Sequence, residues 1–373
     1  MDQEVFSKRI HRYISLFSLY LNKKEATDFK IEDQELRFFF QLSKHHSLCA
    51  FLHKALKDTR VDVSNEGLKK LEEYYYANLR KSVLFDEERK ELYQFLNDEH
   101  ISFLPLKGII IKDFYLDPYT REFADNDILF DSKDSLIKEY FVKRGYEVEM
   151  FRNGNHDVYH KKPFFNFEMH RALFIAHEDF PKYVSYFKDY LRKASIKEGY
   201  EYELNKEDFY IYFTAHTYKH FHESGCGIRT LVDYYQYLKN NKLDFDYINQ
   251  ELAKIDLVDF SNMIFSLSIK LFDNQPLTKE EEETLLYIAS SGTYGLMENL
   301  VNKGVKEKGK FGFFLYKVFP PYSFYEPRYP WAYKCPILIP IAWLVRLFKL
   351  IFIRPKRTFK MIKTINHAKK EVK

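Results

Sequence analysis

The sequence predicts an α+β fold, in which a small mixed β-sheet core is flanked by predominantly α-helical N- and C-terminal regions. Strand-like runs cluster only between residues 101 and 175, whereas apolar residues recur at helical spacing on either side. Glycine and proline number 12 each in 373 residues, about half their usual share, and scarce breakers favour long helices. We therefore expect four regions: a helical region at 1–100, a β-containing core at 101–175, a helical domain at 176–310, and an apolar helix with a basic tail at 311–373.

Helical patterning dominates the first hundred residues. Phenylalanine, leucine and tyrosine recur at helical spacing in the segments 36–56 and 65–96, which predicts amphipathic helices. Asn65 beside Glu66 is typical of a helix start. The segment 1–23 mixes charges into its apolar residues, so we expect no signal peptide there.

A strand, a glycine turn and a short helix are predicted to follow one another at the start of the core. The run 101–106 is apolar, Gly108 permits a tight turn, and 109–115 continues at helical spacing. Asp117 and Pro118 then stop the helix, because the residue before proline is disfavoured in helical conformation.

Two acids lie one residue apart on the next predicted strand, 123–130. Asp125 and Asp127 stand in an otherwise apolar run, and alternation puts their side chains on the same face, about 6–7 Å apart along the chain. This separation lets two hard oxygen ligands hold one Mg²⁺ or bridge two, with water and phosphate oxygens as the remaining ligands. An exposed strand end paired with lysine or arginine is the alternative interpretation.

Polar side chains also share one face of a later strand. The remaining elements of the core are predicted at 134–144 for a helix and at 146–151, 156–160 and 164–170 for strands, the last two forming a hairpin. Alternation along the last strand places Asn166, Glu168 and His170 on one face and aromatic residues on the other.

The order strand, glycine turn, helix and strand with Asp-x-Asp resembles the nucleotidyltransferase superfamily that includes DNA polymerase beta. More closely, the chain resembles the bacterial family of uncharacterised nucleotidyltransferases. The residues that carry this resemblance are Leu106-Lys107-Gly108, Tyr115, Pro118, Arg121, Asp125, Asp127, Glu168, His170, Arg229, Asp233, the run Phe319-Pro320-Pro321-Tyr322 and the run Arg328-Tyr329-Pro330.

The resemblance implies an enzyme that moves a nucleotidyl group from a nucleoside triphosphate to an acceptor hydroxyl or phosphate. Asp125, Asp127 and Glu168 would then be the catalytic carboxylates and the ligands of Mg²⁺ or Mn²⁺. The nucleotide-binding residues implied by the resemblance are Lys107, Gly108, Arg121, His216 and Arg229. The acceptor is not readable from the sequence.

Two departures from the superfamily pattern stand in the motif. One glycine follows a lysine where the superfamily usually has Gly-Ser or Gly-Gly, and Asn126 replaces an aliphatic residue. The amide of Asn126 would face the core side of the sheet, so it needs hydrogen-bond partners there. These departures leave open a second function, a catalytically weak or inactive nucleotide-binding protein that acts as a membrane-associated interaction module.

Several of the implied binding residues have an alternative structural interpretation. Lys107 could be a solvated turn lysine, and Arg121 could orient the acid strand through a bidentate salt bridge. Arg229 could form a salt bridge with Asp233, four residues later on the same predicted helix. His216 has His220 at i, i+4, which suggests a zinc pair, but the glutamate of His-Glu-x-x-His is missing.

Composition limits the compartment and the partners. The three cysteines are widely spaced, which argues against a disulfide framework and fits a reducing cytoplasm. No arginine-interleaved aromatic patch indicates a nucleic-acid partner. The net charge is +4, and the segment 354–373 holds eight basic residues and one acid, so the tail is basic and the body nearly neutral.

The segment 337–353 is strongly apolar but is interrupted by Pro340, Arg346 and Lys349. It is too short and too charged for a convincing transmembrane helix. We expect it either to dock on the body or a partner chain, or to lie with the tail (337–373) at the inner face of a membrane as a peripheral contact.

Overall fold

The computed structural model describes residues 3–176, 179–293, 295–353 and 355–367, and it confirms the α+β class. The helices are α1 Gln3–Leu21, α2 Asp33–His46, α3 Cys49–Asp58, α4 Asn65–Asp98, α5 Gly108–Ile111, α6 Asp134–Lys143, α7 Pro181–Tyr186, α8 Lys206–Glu223, α9 Ile228–Asn240, α10 Phe245–Ala253, α11 Val258–Phe272, α12 Lys279–Ser291, α13 Met297–Val318, α14 Tyr325–Arg328, α15 Pro330–Lys334, α16 Ile339–Phe348 and α17 Pro355–His367.

The described strands form one mixed sheet in the order β3-β4-β5-β2-β1-β7-β6. They are β1 Phe103–Pro105, β2 Asn126–Phe130, β3 Glu147–Met150, β4 His156–Lys161, β5 Phe165–His170, β6 Ser195–Glu198 and β7 Glu201–Glu203. β2 lies at the centre, antiparallel to β1 and parallel to β5. The strand with the acid pair is therefore flanked by the glycine-turn strand and by the strand with Glu168.

One face of the sheet packs against α4 and α6. Phe85 of α4 and Phe141 of α6 are buried, with ring centroids 6.2 and 5.3 Å from that of Phe167 on β5. Aromatic pairs at these distances add to the free energy gained by burial. This apolar layer holds β5 and β2 in place on the sheet face that packs against α4 and α6.

The opposite face is shared between the helical body and the polar residues. Leu104 and Leu129 pair across β1 and β2 and are buried in the larger core, which contains residues of α1–α3 and α8–α12. Asp127 lies two residues before Leu129, so it shares this face. The acids are thus held between a buried sheet and the helices that cover it.

Three local expectations are corrected by the structure. The segment 36–56 is two helices, because Ser47 adopts a left-handed conformation with a φ of +53° between α2 and α3. The strand expected from 123 begins only at Asn126. The hairpin β6–β7 lies outside the stretch 101–175 where strands were expected; its residues are mostly charged and exposed, so they lack an apolar alternation.

The C-terminal helices pack around two small clusters of their own. Val301, Val305 and Phe313 of α13 surround Ile365 of α17, and α13 is kinked at Gly309, whose φ is +69°. Across the described ranges, no helix is long and apolar enough to cross a membrane. Of the predicted basic tail, residue 354 and residues 368–373 lie outside the described residues.

Candidate active site

Two of the predicted carboxylates lie side by side on parallel strands. Asp127 of β2 and Glu168 of β5 are register partners, and directly opposite residues on adjacent strands carry their side chains on one face. Asp125 precedes β2 by one residue. Asp127 is buried, whereas the Glu168 side chain keeps 23% of its exposure, so the group is reachable from solvent on the Glu168 side.

Lys107 reaches this carboxylate group from the turn after β1. Its Nζ lies 2.7 Å from Asp127 Oδ1, so the lysine is ion-paired and is not the solvated turn residue of the alternative interpretation. Its backbone has a φ of +47° and a ψ of −115°, a region that residues other than glycine rarely occupy. Such strain costs about 1–3 kcal/mol and is concentrated at functional sites.

Gly108 is required for close approach rather than for the turn. The tight turn expected at Gly108 is made at Lys107, which carries the positive φ. A Cβ at position 108 would lie 2.5 Å from Nη1 of Arg121, far inside van der Waals contact. The glycine therefore lets a buried guanidinium lie directly beneath the turn.

Arg121 is held by a carboxylate of α9. Its Nε and Nη2 each donate to Asp233 at 2.8 Å, and Tyr115 donates its hydroxyl to the same carboxylate at 2.5 Å. This bidentate pair connects the segment before β2 to α9. The partner of Arg121 is thus Asp233 of a helix, and the geometry favours its structural interpretation.

Two more cations hold the backbone that leads to Asp125. Arg229 of α9 donates to the carbonyl of Glu122 at 2.6 Å, and Lys81 of α4 donates to the carbonyl of Phe123 at 2.7 Å. The sequence suggested a salt bridge between Arg229 and Asp233, but in the structure Asp233 pairs with Arg121. The side chain of Arg229 therefore helps to hold the segment that leads into β2.

Asn126 points to the face opposite Asp127 and is satisfied there. Arg89 of α4 donates to its Oδ1 at 2.5 Å, and its Nδ2 donates to the carbonyl of Asn166 at 3.3 Å. The hydrogen-bond partners required by an amide on the core side are present. This departure from the superfamily pattern is accommodated by the buried arginine of α4.

The three carboxylates differ in proton affinity because their surroundings differ. Burial and the charge of Asp127 raise the pKa of Asp125. Burial, followed by the charges of Asp127 and Asp125, raises the pKa of Glu168 to about 8. For Asp127, burial alone would raise the pKa, but the charge of Lys107 and the hydrogen bond of His170 hold it below its usual range. Lys107 acts on all three carboxylates, but its direct ion pair is with Asp127.

Two histidines border the carboxylates. His170 Nε2 lies 2.8 Å from Asp127 Oδ1, so His170 is a hydrogen-bonding neighbour of this acid. Within the described part of the chain, the group whose possible ligand atoms lie within 4.8 Å of one another is His156, Glu168 and His170. His156 was missed by the sequence analysis; it lies at the start of the predicted hairpin, and the observed register places it opposite His170.

Helix α8 closes the site on the side facing Lys107. Tyr212, His216 and His220 recur at i, i+4 on this helix, and the charge of Lys107 acts on all three. Burial lowers the pKa of His216, so this histidine is neutral at pH 7. His216 and His220 contact each other, Nε2 to Nε2, at 3.2 Å, but the ligand group found in the described residues does not include them.

The predicted residues thus fall into two layers. Asp125, Asp127, Glu168, Lys107 and His216 surround one polar region. Arg121 and Arg229 lie behind it and hold the segment that leads into β2, and Gly108, at the turn, lets Arg121 approach closely. Sequence reasoning also missed Tyr212 and Lys219, which the charges of Lys107 and Glu168 affect. Their spacing of four and three residues from His216 could have indicated them.

The sequence profile of one family matches a large part of the chain. This family is described as "Uncharacterised nucleotidyltransferase", and the match covers residues 32–273, which include every predicted site residue. No curated protein and no solved structure matches the chain significantly.

Proposed function

We propose that this chain, which belongs to the family of uncharacterised nucleotidyltransferases, transfers a nucleotidyl group from a nucleoside triphosphate to an acceptor hydroxyl or phosphate with a divalent metal ion. Family membership indicates nucleotidyl transfer in general terms. The observation that supports the specific reaction is the pairing of Asp127 with Glu168 on adjacent parallel strands, beside Asp125 and the strained Lys107 turn.

The residues present fit a divalent cation. Burial and, after it, repulsion by neighbouring carboxylates raise the pKa values of both Asp125 and Glu168. A group of carboxylates that disfavour one another's ionisation is suited to Mg²⁺ or Mn²⁺, which prefer oxygen ligands. Asp125, Asp127 and Glu168 would hold the ion. When bound, it would neutralise phosphate charge and lower the pKa of the acceptor hydroxyl.

The chain's own residues bind and orient the triphosphate. Lys107 offers a positive charge and Gly108 a backbone N–H to the β- and γ-phosphates. His216, neutral at pH 7 because of its burial, offers a hydrogen bond to the substrate. Arg121 and Arg229 contribute through position, since their guanidinium groups contact Asp233 and Glu122.

The reaction is an in-line displacement. The acceptor oxygen forms a bond to the α-phosphorus while the bond from that phosphorus to the departing pyrophosphate oxygen breaks. The protein contributes chiefly by positioning the reactants and by electrostatic stabilisation. The acids near β2 and on β5 and the lysine of the turn after β1 are separated in sequence, but the fold brings them together on one face of the sheet.

Ligand-dependent thermal unfolding tests the nucleotide site. ATP, GTP, CTP and UTP are compared with and without Mg²⁺ or Mn²⁺, using the wild type and the Asp125→Asn/Asp127→Asn double variant. A ligand at 100 times its Kd that binds only the folded state adds about 2.7 kcal/mol to the free energy of unfolding. We expect metal-dependent stabilisation by a nucleotide, lost in the double variant, whereas no stabilisation of the wild type by any nucleotide contradicts the proposal.

Pyrophosphate release tests the chemistry once a donor is known. Asp127→Asn is expected to abolish turnover and keep the circular dichroism spectrum of the wild type. Asp131→Asn is the matched control, because Asp131 is an exposed acid just after β2. Turnover retained by Asp127→Asn refutes the assignment of this residue.

A catalytically weak nucleotide-binding protein is the second candidate. It is favoured by the contacts of Asp127, whose Oδ1 is already held by both Lys107 and His170. For this function, a nucleotide would stabilise the fold, but no pyrophosphate would be released with any acceptor. The same two measurements therefore separate the candidates.

A further inference from the structure

Helix α16 and the turns beside it present apolar side chains to solvent. Ile337, Ile341, Leu344, Phe348 and Phe352 are each more than half exposed, Ile337 most of all at 83%. They recur at spacings of four and three residues, so they form one continuous stripe along the helix. A helix of a water-soluble body normally turns such a stripe inward.

The polar groups of α16 point the opposite way, into the protein. Arg346 donates from Nη1 to the carbonyl of Val318 at 3.0 Å and from Nη2 to that of Lys317 at 2.5 Å. Trp343 donates from Nε1 to the carbonyl of Val318 at 2.9 Å. These donors satisfy carbonyls at the C-terminal end of α13. The helix is therefore fixed with its polar side inward and its apolar side outward.

Neighbouring helices continue the outward apolar pattern. Phe311 and Phe319 flank the second half of α13, and both are exposed. Phe359 is exposed on α17, although Ile365 of the same helix is buried against α13. The outward aromatic residues therefore belong to helices that are themselves packed in place.

The same segment is strongly basic. Residues 308–367 contain twelve lysines and arginines and one acid, Glu326, which gives a net charge of +11. The whole chain carries only +4, so the rest of the chain is acidic. The positive charge and the outward apolar stripe thus coincide in one segment, which we call the C-terminal surface.

We propose that the C-terminal surface, residues 308–367, docks the protein on an anionic lipid bilayer, with the apolar stripe of α16 in the interface and the basic residues against the head groups. α16 supplies the apolar stripe and the aromatic residues of an interfacial membrane helix, and the segments beside it in the sequence supply most of the basic residues. Basic residues near such a surface are attracted by anionic lipid. This proposal stands on the surface alone and does not depend on nucleotidyl transfer.

A bilayer fits this surface better than a second copy of the chain. A two-fold symmetric dimer would place one C-terminal surface against the other, which brings two segments of net charge +11 together. Like charges across an interface oppose association. Anionic lipid supplies both the apolar phase and the opposite charge.

The C-terminal surface adjoins the candidate active site. Lys219 of α8 lies within the electrostatic reach of Lys107 and Glu168 on one side and of Arg328 of α14 on the other.

Co-sedimentation of the full chain with vesicles tests the proposal. We expect binding to phosphatidylcholine vesicles with 30% phosphatidylglycerol, weakened at least tenfold by 0.5 M salt or by removal of the anionic lipid. Absence of binding to anionic vesicles at low salt overturns the proposal, as does equal binding to neutral vesicles.

Charged substitutions on the stripe locate the contact. Leu344→Glu/Phe348→Glu/Phe352→Glu removes exposed side chains, so the fold should persist by circular dichroism and thermal unfolding. The matched control is Val142→Glu/Ile196→Glu, which changes exposed apolar residues far along the chain. We expect at least a tenfold loss of binding in the triple variant and none in the control. Equal binding by both overturns the assignment to the stripe.

Tryptophan fluorescence gives an independent readout. The chain has two tryptophans, Trp331 and Trp343. Both lie in the C-terminal surface, so tryptophan emission reports on this segment alone. We expect a blue shift on addition of anionic vesicles and quenching by brominated lipid. Unchanged emission at saturating lipid overturns the proposal. If the wild type does not bind vesicles but forms a concentration-dependent dimer in light scattering, and the triple variant does not form this dimer, the occupant of the surface is a second copy of the chain.

Discussion

At the scale of single residues, Lys107 supplies the positive charge that pairs with Asp127 in the acid group. Its Nζ lies 2.7 Å from Asp127, and although burial would lower its pKa, the charge of Asp127 raises the pKa of Lys107 above its usual range. Lysine and carboxylate therefore stabilise each other's charged forms. The contacts of Glu168 with basic groups in the described residues are longer, 3.8 Å to the Nε2 atoms of both His156 and His170.

Glu168 yields a prediction about metal affinity and pH. Burial and the charges of Asp127 and Asp125 raise its pKa to about 8, so it is protonated at pH 7 in the metal-free protein and must lose a proton to ligate. We expect Mn²⁺ affinity to rise between pH 6 and pH 9, by up to about tenfold per unit below the pKa, with proton release on binding. Calorimetry in buffers of different ionisation enthalpy measures both.

Glu168→Gln serves as the control for that titration. Its amide cannot be ionised, so binding should be weaker and should no longer release this proton. An affinity that is flat from pH 6 to pH 9 in the wild type would contradict the role of Glu168.

Gly108 yields a second prediction at this scale. A methyl group at position 108 would displace Nη1 of Arg121, which lies 2.5 Å from the Cβ position. Gly108→Ala should therefore lower the free energy of unfolding by about 1–3 kcal/mol, as overpacking does, and should also reduce turnover. Gly312→Ala is the control, because the nearest atom to its Cβ is 3.4 Å away. Equal urea midpoints for the two variants would refute the close-approach explanation.

At the scale of elements, the sequence predicted best where one face of a strand is apolar. Alternation placed Glu168 and His170 on one face of β5, and the structure has them there. The hairpin β6–β7 could not be found in this way, because its strands are charged on both faces and pair only at the sheet edge. Arg121 was recognised as a candidate for a bidentate pair, but its partner Asp233 is 112 positions away, and only the tertiary fold brings them together.

Helix α12 offers a prediction at the scale of an element. Its N-terminus is a capping box in which Glu281 N donates to Thr278 Oγ1 at 3.2 Å and Thr278 N donates to Glu281 Oε2 at 2.7 Å. Burial would raise the pKa of Glu281, but hydrogen bonds from Ser266 and Thr278 and the contact with Lys270 lower it to about 2. A folded-state pKa below the ordinary 4.5 means that the ionised form stabilises the fold.

Glu281→Gln keeps an acceptor oxygen for the capping box but loses the negative charge beside Lys270. It should therefore destabilise the protein at neutral pH, by up to about 1 kcal/mol. The difference from the wild type should be full above pH 4.5 and should shrink as pH falls towards 2, because the wild-type carboxylate is then protonated. Urea unfolding at several pH values measures this. Glu283→Gln, on the exposed side of the same helix, should be nearly neutral throughout, and a pH-independent effect of Glu281→Gln would argue against the ionised cap.

At the scale of the whole molecule, the folded unit is larger than the family match. The match ends at residues 32 and 273, yet α1 lies before it and contributes to the main core. Phe17 of α1 is fully buried, with its ring centroid 4.8 Å from that of Phe51 on α3. The C-terminal helices, by contrast, form separate small clusters. We therefore expect the loss of a side chain of α1 to lower the free energy of unfolding much more than the loss of an exposed side chain of the C-terminal helices.

The same substitution at two phenylalanines, one in α1 and one in α17, tests this difference in stability. Phe17→Ala removes a fully buried ring and leaves a cavity between α1 and α3, so we expect it to lower the free energy of unfolding by about 3–5 kcal/mol. Phe359→Ala removes a ring of α17 that is 77% exposed, so its effect in urea unfolding should be within about 0.5 kcal/mol. The same Phe359→Ala variant should weaken binding to anionic vesicles, because the exposed ring belongs to the proposed lipid surface. A small effect of Phe17→Ala would mean that α1 is an appendage to the matched domain, and it would assign the stability of the fold to residues 32–273 alone.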